Sequence, residues 1–429
     1  MRLGGRLAAA IEVLEDIERR HRPAADALKD WGLSHRFAGS GDRAAVGNIV
    51  YDALRRKRSA AWLFDSDGPR ALGFGALVLE WGMDAGSLNH ALDGDRFAPQ
   101  PLDGSELDQL SARSLADAPP AVQADCPDWC VPLAEEAFGT EWVAELAALA
   151  ARPPLDLRVN TLAATPQKVL DELKDAGAAP AGMLPDALRI PPIEGGGRHP
   201  NVQAEPAFQK GWFEVQDLGS QIAATLAGAD GGMQVLDYCA GAGGKTLALA
   251  AAMENRGQIF AHDSEKQRLA PIFDRLRRAG ARNVQTVAGE GALAPLAGRM
   301  DLVLVDAPCT GSGTWRRRPD AKWRLTERQL GVRTGEQAAI LDAAAGYVKP
   351  GGRLVYVTCS IFPAENGRQI EAFLARNQAF AAADPQGVWR SHFGDAAPLP
   401  RFTGHGVVLT PATTGTDGFF AAVLERGAA

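Results

Sequence analysis

Two cysteines stand where a reaction could use them. One lies in VDAPCTGSG, residues 305–313, and the other in YVTCS, residues 356–360, in a chain of 429 residues that has only five cysteines. Cys309 and Cys359 each come directly after an apolar run that reads as a buried strand. Strands that end side by side would bring the two sulfurs together. A thiolate is a strong nucleophile, but a thiol of pKa near 8.5 is only a few per cent ionised at neutral pH, so the site must favour the ionised form. One cysteine could form a covalent bond to a substrate and the second could assist its release. Asp306, three residues before Cys309, is the nearest carboxyl group to them in sequence.

The elements that must position these residues read as an open parallel sheet. From about residue 206 onward, MQVLDYC, GQIFAHD, NVQTVAG, DLVLVDA and RLVYVTC are short apolar runs, each followed by Gly, Ser or Pro, with helical stretches between them. That rhythm predicts an α/β fold with both faces of the sheet covered. GHGVVLTP and DGFFAAVLER predict an antiparallel pair at one edge. Ligands of such sheets bind beyond the carboxyl ends of the strands. There the sequence places DYCAGAGGKT (237–246), His262-Asp263, Gly289-Glu290, Asp306-Ala-Pro-Cys309 and Thr358-Cys359-Ser360.

Three ligands compete for that end. A phosphate-binding loop needs glycine at 239, where Cys stands, and a strict dinucleotide fingerprint from Gly241 needs glycine at 246, where Thr stands. The third is S-adenosylmethionine (SAM), which wants a glycine-rich first turn, an acid after the second strand for the ribose and a polar group after the third. Asp263 falls 22 residues beyond Gly241, near the spacing for a ribose-binding carboxylate. This reading accounts for every strand end. It also gives the cysteines a task. A thiolate added to carbon 6 of cytosine activates carbon 5 toward the SAM methyl. The carbon 5 proton must then leave and the thiolate be expelled. A carboxyl group such as Asp306 could hydrogen-bond cytosine N3 and stabilise the adduct.

The rest of the chain divides into two further regions. Residues 1–145 predict an all-helical domain: Leu7, Ile11, Leu14 and Ile17 share one helix face, as do Val46, Ile49, Val50, Ala53 and Leu54, with Asp42 as a cap. Residues 146–205 predict a small α+β insert, with a strand in PPLDLRVNTL, a helix in TPQKVLDELKDAGAAP capped by Thr165 and ended near Gly177, and a loop at GGGRHPN. Residues 206–429 form the predicted catalytic domain.

Composition restricts partners. A net charge of −7 argues against a broad nucleic-acid surface but not a local one. RRKR at 55–58 reads equally as a solvated face. WRRRPDAKWR at 315–324 mixes Arg316, Arg317, Arg318, Lys322 and Arg324 with Trp315 and Trp323, so cations could meet phosphates while indoles stack on bases. No run approaches the length of a membrane span. The acids Glu12, Glu15, Asp16 and Glu18 exclude a secretory signal over the first residues, so a cytoplasmic location is expected. Cys126 and Cys130 in CPDWC lack further ligands, and no metal site is expected.

The motifs resemble one family. DAPCTGSGTWRRRPDAKWR is similar to the Pro-Cys motif, and VTCSIFPAEN, with Glu365 and Asn366, to the Thr-Cys motif, of the RsmB (Fmu/Sun) type of RNA 5-methylcytosine methyltransferase. QDLGSQ at 216–221 and LRVNTL at 157–162 also match. The resemblance implies a Rossmann-like SAM-dependent methyltransferase sheet, Cys359 as nucleophile and Cys309 in product release, a pairing that distinguishes RNA from DNA enzymes. It implies a cofactor pocket of Cys239, Ala240, Gly241, Ala242, Gly243, Gly244, Lys245, Asp263, Arg268, Glu290 and Asp306, with Lys245 also near the reacting centre. The chain departs from the family at Gly241-Ala242, where Ala-Pro is usual, and at Glu290, where Asp is usual. DRAAVGNIVYDALRRKRSAAWL resembles a NusB-like RNA-binding domain, which favours small-subunit (16S) rRNA as substrate. A tRNA substrate and an inactive RNA-binding assembly factor are the alternatives; DNA and membrane partners are not expected, nor is an oligomer.

Overall fold

The structure, a computed structural model, describes residues 1–395 and 398–428, the side chain of Glu290 apart. The chain divides into two compact units. One comprises residues 1–153, 192–199 and 314–325; the other comprises 154–191, 200–313 and the chain from Thr326 onward.

The first unit is helical. The helices Leu3–Arg20, Ser40–Arg55 and Pro69–Leu79 contribute Leu7, Leu14, Ile49, Phe74 and Leu77 to one core, at the spacings that put apolar side chains on one helix face. Helix Lys57–Phe64 crosses Pro69–Leu79 at Gly75, where a Cβ would stand 2.3 Å from that of Ala60, so only glycine permits the approach. Asp42 is not a cap. Gly39 holds the N-cap position, and Asp42, in the first turn, accepts from the Met1 amino group and from Arg6. The RRKR run is not a solvated face either. Arg55 is buried against Asp52, Arg56 pairs with Glu80, and Arg58 donates to the Cys126 carbonyl.

Buried Asp52 organises this unit. Its carboxylate accepts from Arg55 Nη1 at 2.9 Å, Arg152 Nε at 2.9 Å and Trp81 Nε1 at 3.1 Å. Arg152 in turn donates to the carbonyls of Ile193 and Gly195, which ties the 192–199 segment to the helices.

The second unit holds two sheets. The small one has the order β2 (Ala179–Pro180), β3 (Ala187–Ile190), β1 (Leu155–Val159), β4 (Phe213–Val215), all antiparallel. The helix Pro166–Glu172 is capped by Thr165, which accepts from Lys168 N–H, and it packs Val169 against Leu157, Leu188 and Phe213. Because β4 pairs Leu157 with Val215, this layer runs past residue 205, the boundary expected from the sequence. The three residues of β4 are too short to show alternation.

The large sheet carries the parallel strands in the order β9 (Val348–Thr358), β8 (Met300–Asp306), β5 (Gln234–Asp237), β6 (Gln258–Asp263), β7 (Val284–Ala288). The chain steps outward from β5 to β7 and then returns to β8 on the other side of β5. Crossovers that leave in opposite directions open a crevice at the strand ends, where ligands bind. The strands read as continuous apolar runs because both faces are buried; Val235, Leu302, Leu304, Val355 and Val357 share one core.

The antiparallel side is larger than an edge pair. β13 (Phe419–Arg426) lies against β9, with Tyr356 opposite Ala422. β12 (Val407–Leu409) and β11 (Arg401–Phe402) extend the sheet, and β10 (Phe380–Ala382) pairs with the far end of β13. Two- and three-residue strands leave no period in a sequence, so β10 and β11 carry no sequence signal. No helix among the described residues is long and apolar enough to cross a membrane.

Candidate active site

The cofactor side is built on the turn after β5. Ala240 N–H donates to the His262 carbonyl at 2.7 Å, which fastens the turn to β6. Gly241 and Gly243 have φ of +50° and +82°, a region that side chains rarely enter. At Gly243 a Cβ would also stand 2.4 Å from Ile272 Cγ1. Gly244 opens the helix Gly244–Ala252, whose first N–H groups have no partner within the helix and no side-chain cap. Arg275 Nη1 donates to the Ala242 carbonyl at 2.8 Å and restrains the turn from outside.

Three carboxyl groups line this end. Asp263 is buried and accepts from Gly241 N–H at 3.0 Å and from Glu265 N–H at 3.0 Å, with Arg268 3.9 Å away. Asp237 is buried, accepts from Thr246 Oγ1 at 2.6 Å, and is pushed up to about 7, chiefly by burial and then by the charges of Asp306 and Asp263. Asp306 accepts from Lys245 Nζ at 2.7 Å. Burial pushes the Cys239 thiol up, so this cysteine stays neutral. The set fits SAM. A carboxylate stands at the end of β6 for ribose hydroxyls, glycine backbone admits close approach, and a field of acids suits a sulfonium cation. Glu290 starts a 3-10 turn after β7, and its side chain lies outside the described residues.

The cysteine side follows from adjacency of β8 and β9. Asp306 is in register with Val357, so the two strands end together and Cys309 and Cys359 leave them in parallel. Their sulfurs are 3.3 Å apart. The Cys309 thiol is pushed well above its ordinary value by its hydrogen bond to Cys359, then by burial and by the charges of Cys359 and Glu365. At that distance either sulfur can donate its S–H to the other.

Glu365 locks both cysteine turns. Fully buried, it accepts from Thr310 N–H at 2.8 Å, Thr310 Oγ1 at 2.5 Å, Gln337 Nε2 at 3.0 Å and the Ser360 hydroxyl. Asn366 accepts from Thr358 Oγ1 at 2.6 Å and donates to the Ser360 carbonyl at 2.9 Å. The turn after Cys309 is also pressed on the residues before β13. Gly313 N–H donates to the Cys359 carbonyl, and a Cβ on Gly313 would stand 2.0 Å from the Gly418 carbonyl oxygen. Phe419, next in sequence, lies 5.3 Å from Lys245 Nζ, so ring and ammonium attract.

The structure thus pairs Cys309 with Cys359 and Lys245 with Asp306 at neighbouring strand ends, and it sets Gly241, Gly243, Asp263 and Arg268 around the turn after β5. Glu365, Gln337, Asp237 and Phe419 carry work that the sequence reading did not assign. Glu365 stood in the quoted VTCSIFPAEN motif, while Gln337 lies mid-helix and gave no signal.

The basic segment needs correction. Residues 314–325 belong to the helical unit. Arg316 and Lys322 are buried at 4% and 3% exposure, so neither meets a phosphate. Trp315 is buried too, and Trp323 Nε1 donates to the Leu54 carbonyl at 2.6 Å. Burial pushes Lys322 down to about 8. Arg317 is half-buried, and Arg318 and Arg324 are exposed. Near Lys322, Cys126 and Cys130 are buried, and the hydrogen bond between them pushes Cys130 up. No cluster of metal-binding side chains occurs among the described residues.

Comparison with known proteins places these features in context. A family model described as 16S rRNA methyltransferase RsmB/F matches residues 223–425, and a model of the ferredoxin-like domain of RsmF/B-like methyltransferases matches residues 126–192. The probable ribosomal RNA small subunit methyltransferase B of Synechocystis sp. is 29% identical over 97% of this chain and 98% of its own length. The ribosomal RNA small subunit methyltransferase B of Citrobacter koseri is 35% identical over 70% of this chain and 66% of its own. Among solved structures, a methyltransferase homolog protein from Pyrococcus horikoshii is similar with a TM-score of 0.59 and 25% identity, over 72% of this chain and 97% of that one.

Proposed function

The chain belongs to the RsmB/F family of SAM-dependent methyltransferases, and from that premise we propose that it methylates carbon 5 of a cytosine in 16S rRNA through a covalent adduct with Cys359. The observation that carries this reading is the 3.3 Å approach of the Cys309 and Cys359 sulfurs, with the Lys245–Asp306 pair on the adjoining strand end. Two sulfurs so close suit addition and release better than any single-cysteine chemistry, and in this reading Cys309 keeps its proton while Cys359 is the thiolate that accepts it.

Bound SAM supplies an electrophilic methyl group for carbon 5. The residues do the rest. The Cys359 thiolate forms a bond to carbon 6 of an unstacked cytosine. As the ring takes up charge, Asp306 relays the proton it receives from Lys245 to N3, and that proton returns to Lys245 when the adduct collapses. Once Cys359 is bonded to carbon, Cys309 has lost its acceptor and releases its proton to solvent. The resulting Cys309 thiolate takes the proton from carbon 5 as the Cys359–carbon 6 bond breaks. Cys359 leaves as thiolate and again accepts the Cys309 S–H, so one turnover releases one proton. Extruding the base costs a few kcal/mol, and less if the cytosine lies in a loop. In this reading the NusB-like helical unit holds rRNA.

The test is methyl transfer from radiolabelled SAM to deproteinised 16S rRNA, with bisulfite sequencing to locate the product. Cys359→Ala should abolish transfer while SAM still binds. Cys309→Ala should accumulate a protein–RNA adduct on a denaturing gel. Substantial turnover by Cys359→Ala, or an adduct from that variant alone, overturns the assignment of nucleophile; transfer to tRNA but not rRNA overturns the substrate.

A further inference from the structure

We propose that the helical unit carries a stacking site for unpaired RNA bases, walled by Trp31, His35 and Phe37 on one side and by Phe97 with Arg96 on the other. The proposal rests on RNA being the substrate and names where a second part of it is held.

Phe37 and Phe97 are the most exposed large apolar side chains among the described residues, at 73% and 64%. They sit in different parts of the sequence and line the same concave site of about 720 Å3, a volume ordinary for ligand pockets. The first wall is a graded aromatic series. Trp31 is buried and donates Nε1 to Glu12 at 3.2 Å; His35 stacks on it at 4.7 Å and 16°; Phe37 meets His35 edge-on at 5.7 Å. The second wall is fixed by the first helix. Asp95 accepts from Gly5 N–H and from Phe97 N–H, both at 3.1 Å. A Cβ on Gly4 would stand 2.5 Å from that of Ala98, so glycine lets the loop lie directly on the helix. Phe97 is thus presented on a braced loop and does not fold back onto the core.

Charge selects the occupant. The acids of the site are engaged, Glu12 with Trp31 and Asp95 with backbone N–H groups. Arg2 and Arg96 also line it and make no ion pair among the described residues, and the Arg96 guanidinium lies 4.5 Å from the Phe97 ring. Exposed aromatic rings beside guanidinium groups that make no ion pair suit single-stranded RNA, whose bases stack on aromatic rings while cations meet the backbone.

The experiment uses the full chain. Binding of a fluorescein-labelled oligouridine 10-mer and of a duplex of equal length is measured for wild type and for Phe37→Ala/Phe97→Ala. Both side chains are exposed, so their removal leaves the core intact. The double variant should bind the single strand about tenfold more weakly with duplex and SAM affinities unchanged. A 4-thiouridine oligomer should crosslink to peptides bearing Phe37 or Phe97. Unaltered single-strand affinity overturns the proposal. So does a variant that binds RNA normally and fails only on ribosomal particles carrying protein, which assigns the groove to a polypeptide. If wild type binds single strands through these residues yet transfers no methyl to rRNA, the site stands and the proposed function fails.

Discussion

Glu365 offers a graded test of how the two cysteines are held, through replacement by Gln and by Ala. Its Oε1 accepts from two obligate donors, Thr310 N–H and Gln337 Nε2. Its Oε2 accepts from two hydroxyls, Thr310 Oγ1 and Ser360 Oγ, which can rotate. Gln can keep an oxygen toward the N–H groups and turn its amide toward hydroxyls that reverse to accept. The loss is then charge assistance on the bonds to the two hydroxyls, about 1 kcal/mol each, or about 2 kcal/mol. Ala leaves the two N–H donors orphaned in a buried site at about 1–3 kcal/mol each, or about 2–6 kcal/mol. It also frees both cysteine turns, and misplacement of reacting atoms by about 1 Å costs on the order of 100-fold. Single-turnover methyl transfer at saturating RNA, with thermal melting and SAM binding measured alongside, should give Gln within about tenfold of wild type and Ala down by about 100-fold or more, with SAM binding retained in both. Wild-type turnover by Glu365→Ala would refute the positioning role. Equal damage from Gln and Ala would show that the charge matters and the geometry does not.

Two further outcomes follow from burial. The Asp237 carboxyl is pushed up to about 7, above its unfolded value, so the protonated form stabilises the fold below about pH 4 and that contribution is lost as pH rises through 7, up to about 4 kcal/mol. Asp237→Asn should therefore gain melting temperature relative to wild type between pH 5 and pH 8, and a difference that does not change with pH would contradict the burial argument. Lys322, pushed down to about 8 by burial, still carries its charge at pH 7, in a place that disfavours it. Lys322→Met should melt no lower than wild type there and leave the salt dependence of RNA binding unaltered. Arg324→Gln should instead reduce the log–log salt slope by about 0.7, the share of one phosphate contact on a single strand; a reduced slope for Lys322→Met would return that residue to the RNA surface.

The sequence by itself determined what depends on local pattern. Apolar runs bounded by glycine marked the five parallel strands, because strands buried on both faces can be little else. Glycines marked the turn after the first strand, and the residues following each strand marked the ligand end. The Thr165 cap and the helix face through Leu7 and Leu14 were equally local. Tertiary structure decided what depends on residues distant in the chain. That β13 inserts beside β9, that the sulfurs close to 3.3 Å, and that Glu365 joins their two turns all follow from strand adjacency, which no single segment encodes. The segment 315–324 shows the limit most plainly. Its composition reads as a basic surface, but an arginine or lysine carries the same letter in solvent as in a core. Only the hydrogen bond from Trp323 to the Leu54 carbonyl, and the burial of Arg316 and Lys322, separates the side chains that hold the fold from those left to meet RNA.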